Sequence, residues 1–363
     1  MTSRMPPRLE QGRLLVALGL ATVTIAGCAI RLNQSSPPPY PSLPPPSTSY
    51  PTLTSGERFV VSEYPVPAGS HPHDVAPATD GGVWYTGQRN GTLGHLSPTT
   101  GRIREIPLGT GSAPHGVITS SGGVPWVTDG GLNAIVRVNP VTDEVTVFPL
   151  PAAATDANLN TATFDSEGVL WFTGQNGVYG RLDPDHGRVE VFAAPRGPGP
   201  YGIATTPDGE VWYASLAGSH IARIDRASGE ATIEEPPTPG QGARRIWAAP
   251  DGRLWVAEWN AGQVAVHDPA TGEWHEWRLP GDSPQPYAVF VDERGIVWLT
   301  DFGANAIVRF DPVTEIFVPL ELPSARAEVR QLLGRPPVAG RSGEVWGAES
   351  GTDKLVMVTT EPE

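Results

Sequence analysis

A tryptophan set among apolar residues recurs at Trp84, Trp126, Trp171, Trp212, Trp255, Trp298 and Trp346, with spacings of 42, 45, 41, 43, 43 and 48 residues. So regular a period marks a repeat architecture, in which each repeat is one supersecondary unit that buries its apolar face only against its neighbours. The consensus has a small turn, an apolar stretch, Asp-Gly or Gly-Gly, and an apolar pair with the Trp. An alternating strand ending in Asp-Pro or a relative follows. Period-two alternation cut by Gly, Pro and Asp predicts short antiparallel strands. Four fit in each repeat, as in Val117-Ile118, Pro125 to Thr128, Ala134 to Val138 and Glu144 to Phe148. Seven such units predict an all-β fold, a seven-bladed β-propeller of four-stranded antiparallel blades.

The last repeat ends one strand short, at Lys354 to Val358. At the other end, Phe59 to Val66 precedes the first full repeat and resembles the closing strands Arg104 to Leu108 and Val147 to Leu150. The N-terminal strand is therefore expected to pair into the last blade and close the ring, with the propeller spanning 58–360. The repeat tryptophans are expected to pack between sheets rather than form a binding stripe. Trp247, Trp259, Trp274 and Trp277 lie outside the repeat position and gather in the fifth repeat, where edge packing is also the expectation.

Residues 1–27 carry Arg4, Arg8 and Arg13, an apolar run from Leu14 to Ala26, and Ile25-Ala26-Gly27 before Cys28. That layout is a secretion signal, too short for a spanning helix. Its end resembles the lipobox of bacterial lipoproteins, which implies cleavage before Cys28 and lipidation of its thiol. Cys28 is the only cysteine, so no disulfide forms within the chain. Residues 28–57 hold Pro37-Pro38-Pro39, Pro44-Pro45-Pro46 and many serines, the composition of a stiff tether without a core. The folded part is thus expected outside the cytoplasm, anchored to the cell membrane by lipid alone, as a monomer. The formal net charge is −14 and Lys354 is the only lysine. An acidic surface without basic clusters argues against nucleic acid as a partner.

In a propeller blade the residue opening the first strand and the residue closing the second lie at the same face of the disc. Eleven residues before each repeat Trp stand His73, His115, Asn160, Tyr201, Arg244 and Tyr287; an insertion in the seventh repeat leaves Arg330 or Arg335 as its equivalent. Three residues after each Trp stand Gly87, Asp129, Gly174, Ser215, Glu258, Asp301 and Glu349. Asp, Asn and Gly at strand ends also serve turns, but His, Tyr and Arg are poor turn formers. Convergent polar groups at one channel mouth predict a small-ligand site, with His73, His115 and Glu349 as candidate catalytic groups. Asn160, Tyr201, Arg244, Tyr287 and Arg330 are the candidate ligand contacts. Asp129, Glu258, Asp301, Glu328 and Glu349 are the candidate metal ligands, because converging carboxylates repel unless a cation compensates.

Gly197-Pro198-Gly199-Pro200-Tyr201-Gly202 matches a dinucleotide-binding pattern by letter, yet it leads into a strand and offers no helix N-terminus. No His-x-x-x-His, paired Cys or Gly-x-Ser-x-Gly occurs, so zinc and serine hydrolase readings lack support.

The segment Tyr201-Gly202-Ile203-Ala204 with Asp208 to Tyr213, together with Gly303 to Pro312, resembles the streptogramin B lyase family, also called virginiamycin B lyases, over residues 58 to 358. The resemblance implies a seven-bladed propeller that, with Mg²⁺, opens the ester of a cyclic depsipeptide antibiotic by elimination. It also implies a His opening the sixth blade and a Glu, a His and a Glu from the seventh. Those positions hold Tyr287, Glu328, Arg330 and Glu349, so both glutamates are present and both histidines are replaced. A histidine suits α-proton abstraction near neutral pH, whereas an arginine is always charged, which argues against the reaction at those blades. Rotated by two blades, His73, His115 and Asp129 reproduce the constellation, with Ala113 in place of its first glutamate.

Three functions follow as expectations. The first is binding of a small molecule, glycan or peptide at the polar channel mouth. The second is a Mg²⁺-dependent carbon–oxygen lyase, and the third an envelope interaction scaffold. A lactonase-like metal site drawing on Asn160 with Glu258, Asp301 or Glu349 is a weaker enzymatic rival.

Overall fold

The computed structural model describes residues 58–336 and 343–360. The signal segment 1–27, Cys28 and the tether to 57 lie outside them. The described chain is all strand and turn, arranged as seven four-stranded antiparallel sheets. Six sheets are built from consecutive strands, innermost first, the first being Pro72–Pro77, Val83–Gly87, Thr92–Ser97 and Arg102–Pro107. The seventh takes Val329–Arg335, Glu344–Glu349 and Lys354–Thr360 from the end of the chain and its outermost strand, Phe59–Pro65, from the beginning. The closing pair runs without a shift from Phe59 opposite Thr360 to Pro65 opposite Lys354. Glu63 accepts a hydrogen bond from Lys354 Nζ at 2.5 Å and two from Ser324, tying the closure to the sixth blade.

All seven repeat tryptophans are buried, as large apolar bodies between sheets should be. In four blades an arginine stands opposite the Trp on the third strand: Arg137, Arg181, Arg223 and Arg309. Arg137 and Arg181 lie 5.7 and 5.4 Å from the ring centroids of Trp126 and Trp171.

One irregularity organises the channel. The innermost strand of every blade shifts register near its start: between Pro72 and Val75, Pro114 and Gly116, Leu159 and Ala162, Pro200 and Ile203, Ala243 and Arg245, Pro286 and Val289, and Val329 and Leu332. A bulge re-aims side chains and leaves backbone groups without ladder partners. Here threonines of the second strand take up those groups. Thr86, Thr128, Thr173 and Thr300 accept the N–H of Asp74, Gly116, Thr161 and Ala288. Three of these threonines then donate to the next blade, at the carbonyls of His115, Asn160 and Tyr201. The bulges are thus locked from blade to blade, which fixes what they present to the channel.

Candidate functional site

The bulge turns two successive residues of each inner strand toward the axis. The first of the two is His73, His115, Asn160, Tyr201, Arg244, Tyr287 and Arg330, the expected set. Pairing of Val329 with Glu349 and Leu333 with Trp346 makes Arg330 the seventh member and leaves the insertion between Arg335 and Glu344 in the sequence. Arg335 instead pairs with Glu344 at 2.8 Å and donates to the Gly82 carbonyl. The second residue of each pair, overlooked at the sequence level, is Asp74, Gly116, Thr161, Gly202, Arg245, Ala288 and Gln331. Large polar side chains alternate there with small residues because the axis is crowded. A Cβ on Gly116 would meet the Asn160 carbonyl oxygen at 2.5 Å, and one on Gly202 the Arg245 Cα at 2.8 Å.

These groups form one connected network across the channel. The imidazoles of His73 and His115 stack with centroids 3.6 Å apart. His73 Nδ1 bonds Asp74 Oδ1 at 2.8 Å, and the same oxygen accepts Arg245 Nη2 at 2.7 Å. Arg245 Nη1 donates to Thr161 Oγ1 at 2.6 Å, so the threonine proton goes to Asn160 Oδ1, 2.8 Å away. That orients the Asn160 amide to donate to His115 Nε2 at 3.2 Å, which puts the His115 proton on Nδ1, a buried atom with no hydrogen-bond partner. The hydroxyls of Tyr201 and Tyr287 bond each other, and Arg244 donates to Tyr201 at 3.1 Å. Further along the channel, beyond Thr161, Arg245 and Gln331, lies an apolar cavity of about 300 Å³ walled by Ile118, Ile203, Ile246 and Leu332.

The electrostatics are set by arginine in a dry place. Burial, with Arg245, Arg330 and Arg244 close by, holds the His73 pKa well below its ordinary value; burial and His73 do the same to His115. Both imidazoles are therefore neutral at pH 7. Burial alone would lower the Arg245 pKa, but Asp74 together with Tyr287 and Tyr201 more than offsets it and the guanidinium stays charged. Burial would raise the Tyr201 phenol, yet Arg244 and Arg245 outweigh it and its pKa falls.

The carboxylates closing the second strands do not join this network. Each stands opposite the residue before the bulge, as Asp129 does opposite Pro114 and Glu349 opposite Val329, and serves its own blade. Asp129 accepts the N–H groups of Ala113 and Leu132, and Asp301 those of Gln285 and Gly303. Glu258 accepts from Gln263, Glu349 from Thr352, and Glu328 from Arg330. These bonds make the carboxylates anchors of their own loops and strand ends. Among the described residues, one group of three His, Cys, Asp or Glu brings ligand atoms within 4.8 Å of one another: His73, Asp74 and His115. Its carboxylate is already ion-paired with Arg245, and two imidazoles suit Mg²⁺ poorly, since that ion takes oxygen ligands. Among the described residues that group does not fit the Mg²⁺ implied by the resemblance.

Glu258 has a separate consequence. Its side chain is fully buried and desolvation pushes its pKa up to about 8 from an ordinary 4.5. Between those values the folded state holds a proton that the unfolded chain has released, so the contribution of Glu258 to stability is largest at low pH and falls as pH rises through this window. Glu258→Gln is expected to flatten that decline and to gain stability at pH 8, measured as urea midpoints at pH 5 and 8. A decline identical to wild type would show that Glu258 is not its source.

Trp259 lines the rim, 4.5 Å from the Arg244 guanidinium and 5.4 Å from the Phe302 ring, so one extra tryptophan of the fifth blade borders the mouth. Trp274 and Trp277 pack on His267 and Trp255.

Comparison with known proteins agrees with the architecture. The Virginiamycin B lyase family model matches residues 109–363. The virginiamycin B lyase of Nocardia farcinica is 35% identical over 81 residues, 22% of this chain and 27% of that protein, so the aligned stretch spans only a minor part of the relative. The Staphylococcus aureus virginiamycin B lyase superposes with a TM-score of 0.76 at 24% identity, over 83% of this chain and 99% of that one. A catalytically inactive histidine-to-alanine variant of that enzyme, solved with quinupristin, gives 0.75 at 24% identity, over 83% and 99%. A streptogramin B lyase structure gives 0.74 at 25% identity, over 84% and 98%. At such identities the superpositions establish the shared fold. The family match covers more than half of the sequence, and this chain belongs to the virginiamycin B lyase family.

Proposed function

We propose that this propeller binds a small molecule at the channel mouth formed by His73, His115, Asn160, Tyr201, Arg244, Tyr287 and Arg330. The observation that carries the reading is the set of seven inner-strand bulges, each turning a polar or aromatic side chain toward one point. A core built for packing alone has no use for so many polar groups in one dry layer, because each must find a partner. In this reading the propeller works outside the cytoplasm, held to the membrane by lipid on Cys28 and the Pro-rich tether, as a monomer. A thermal-shift screen of small metabolites, glycans and peptides tests it. Ligands whose stabilisation is lost in His115→Ala and Arg330→Gln support the mouth. Ligands that stabilise both variants as well as wild type would put binding elsewhere and end the reading.

Family membership supports a second reading, opening of a cyclic depsipeptide ester by elimination. His73 could serve as its base: with Nδ1–H donated to Asp74, Nε2 keeps its lone pair. The three arginines oppose protonation of that ring, which weakens it as a base near neutral pH, so binding without chemistry is the better-supported function. The same preparation incubated with quinupristin, with and without Mg²⁺, decides between them. A linear product of unchanged mass, absent in His73→Ala, would establish the lyase. Intact quinupristin at high protein concentration would retire it.

A further inference from the structure

The charge at the mouth is out of balance with the rest of the molecule. The chain carries a formal −14, yet three guanidinium groups converge on this layer, and the carboxylates that face them are Asp74 and Glu328. Asp74 is taken by Arg245, deep in the channel. Glu328 is taken by Arg330 at 2.7 Å. Among the described residues Arg244 has no carboxylate partner. Its guanidinium lies 3.6 Å from the Tyr287 ring centroid, 4.5 Å from that of Trp259 and 4.7 Å from that of Tyr201. Its one hydrogen bond goes to the Tyr201 hydroxyl, and its Nε is buried without a partner. Arg330 Nε is buried and unpartnered as well. His73 and His115 add no charge, and the lowered Tyr201 phenol pKa reflects the same positive potential.

Arg245 is buried, whereas Arg244 and Arg330 are half-buried and reach the solvent side of the layer. Beside them are flat walls. Phe302 stacks on Tyr287 with centroids 5.0 Å apart, and Trp259 meets Phe302 edge-on at 5.4 Å. Two guanidinium forks with spare donors beside aromatic faces match a planar molecule that carries an oxyanion, because the arginine fork fits carboxylate and phosphate oxygens.

We propose, building on the channel-mouth reading, that the ligand is a small aromatic or planar oxyanion. Its carboxylate or phosphate lies against Arg244 and Arg330, and its ring against Trp259 and Phe302. Glu328 then acts as an internal competitor that holds Arg330 until the oxyanion arrives.

Calorimetric titration of the full chain with benzoate, phenyl phosphate and the neutral benzamide tests this. At least one anion is expected to bind about tenfold or more tightly than benzamide, and to weaken as salt is raised. Which of the two binds better identifies the oxyanion. Arg330→Gln and Arg244→Gln should each weaken the anion about tenfold, and by clearly more than they weaken benzamide; the half-exposed Arg330 keeps the test open if the Arg244 variant fails to fold. Glu328→Gln should tighten anion binding by freeing Arg330. Benzamide binding as tightly as both anions would overturn the oxyanion while leaving a ligand site in place. Weaker anion binding in Glu328→Gln would overturn it too, pointing to a cation held by that carboxylate. No binding of any of the three also overturns it, and the broader reading then rests on the metabolite screen alone.

Discussion

A chain lacking residues 58–66 is expected to lose its cooperative melt, or to melt more than about 10 °C below the parent, a shift that several kcal/mol produce in a domain of this size. The deletion removes the outermost strand of the seventh blade and strips its seven register pairs from Lys354–Thr360. It uncovers the edge-on contact of Phe59 with Trp298 and the packing of Tyr64 on Trp346, at 5.8 and 5.3 Å between centroids. It also leaves Lys354 without Glu63, and a bare strand edge invites pairing with other chains. Circular dichroism melts with light scattering read both effects. A soluble chain that melts as the parent does would show that the ring is held by contacts between blades and that the closing strand is dispensable.

The fold was legible because its determinant is periodic. One tryptophan per repeat, with Gly and Asp in fixed relation to it, specifies strand, turn and blade. The missing strand could be located because Phe59 to Val66 resembles the other outer strands. The site was legible in part. The residues eleven before the first six Trp meet one another through ring contacts and hydrogen bonds, and the insertion after Arg335 hid the choice between Arg330 and Arg335 in the seventh. The carboxylates three after each Trp were a different matter. They share a strand end with the site, but pairing alone does not tell which way a side chain faces once the neighbouring strand carries a bulge. That bulge has no residue signature of its own here, since Pro, Leu, Ala and Val all precede it. It delivered Asp74 and Arg245 to the axis and left Asp129 and Asp301 to their loops. A trace was present in the alternation of Asp74, Gly116, Thr161, Gly202, Arg245, Ala288 and Gln331, large polar residues among small ones, which is the pattern of side chains sharing a narrow axis.

The pair at the centre of that alternation supports the sharpest stability prediction. Asp74→Ala is expected to cost about 3–5 kcal/mol, the range for removing one member of a buried ion pair. Asp74 and Arg245 are 1% and 5% exposed, so solvent cannot screen what remains. The loss would strand the Arg245 charge beside Arg244 and Arg330, and would free His73 Nδ1 from the oxygen that orients it. Arg245→Met alone should also destabilise, because Asp74 would then be a buried anion with only His73 to answer it. The double variant is expected to recover most of the loss, since well-packed apolar replacements of buried pairs are often neutral. Urea denaturation of the four proteins closes the cycle. A double variant as unstable as the sum of the singles would mean that the two groups act independently. Recovery would instead establish that the pair does little for net stability while fixing His73, Thr161 and, through Asn160, His115. A layer that organises side chains without stabilising the fold is what a binding site requires and a packing core does not.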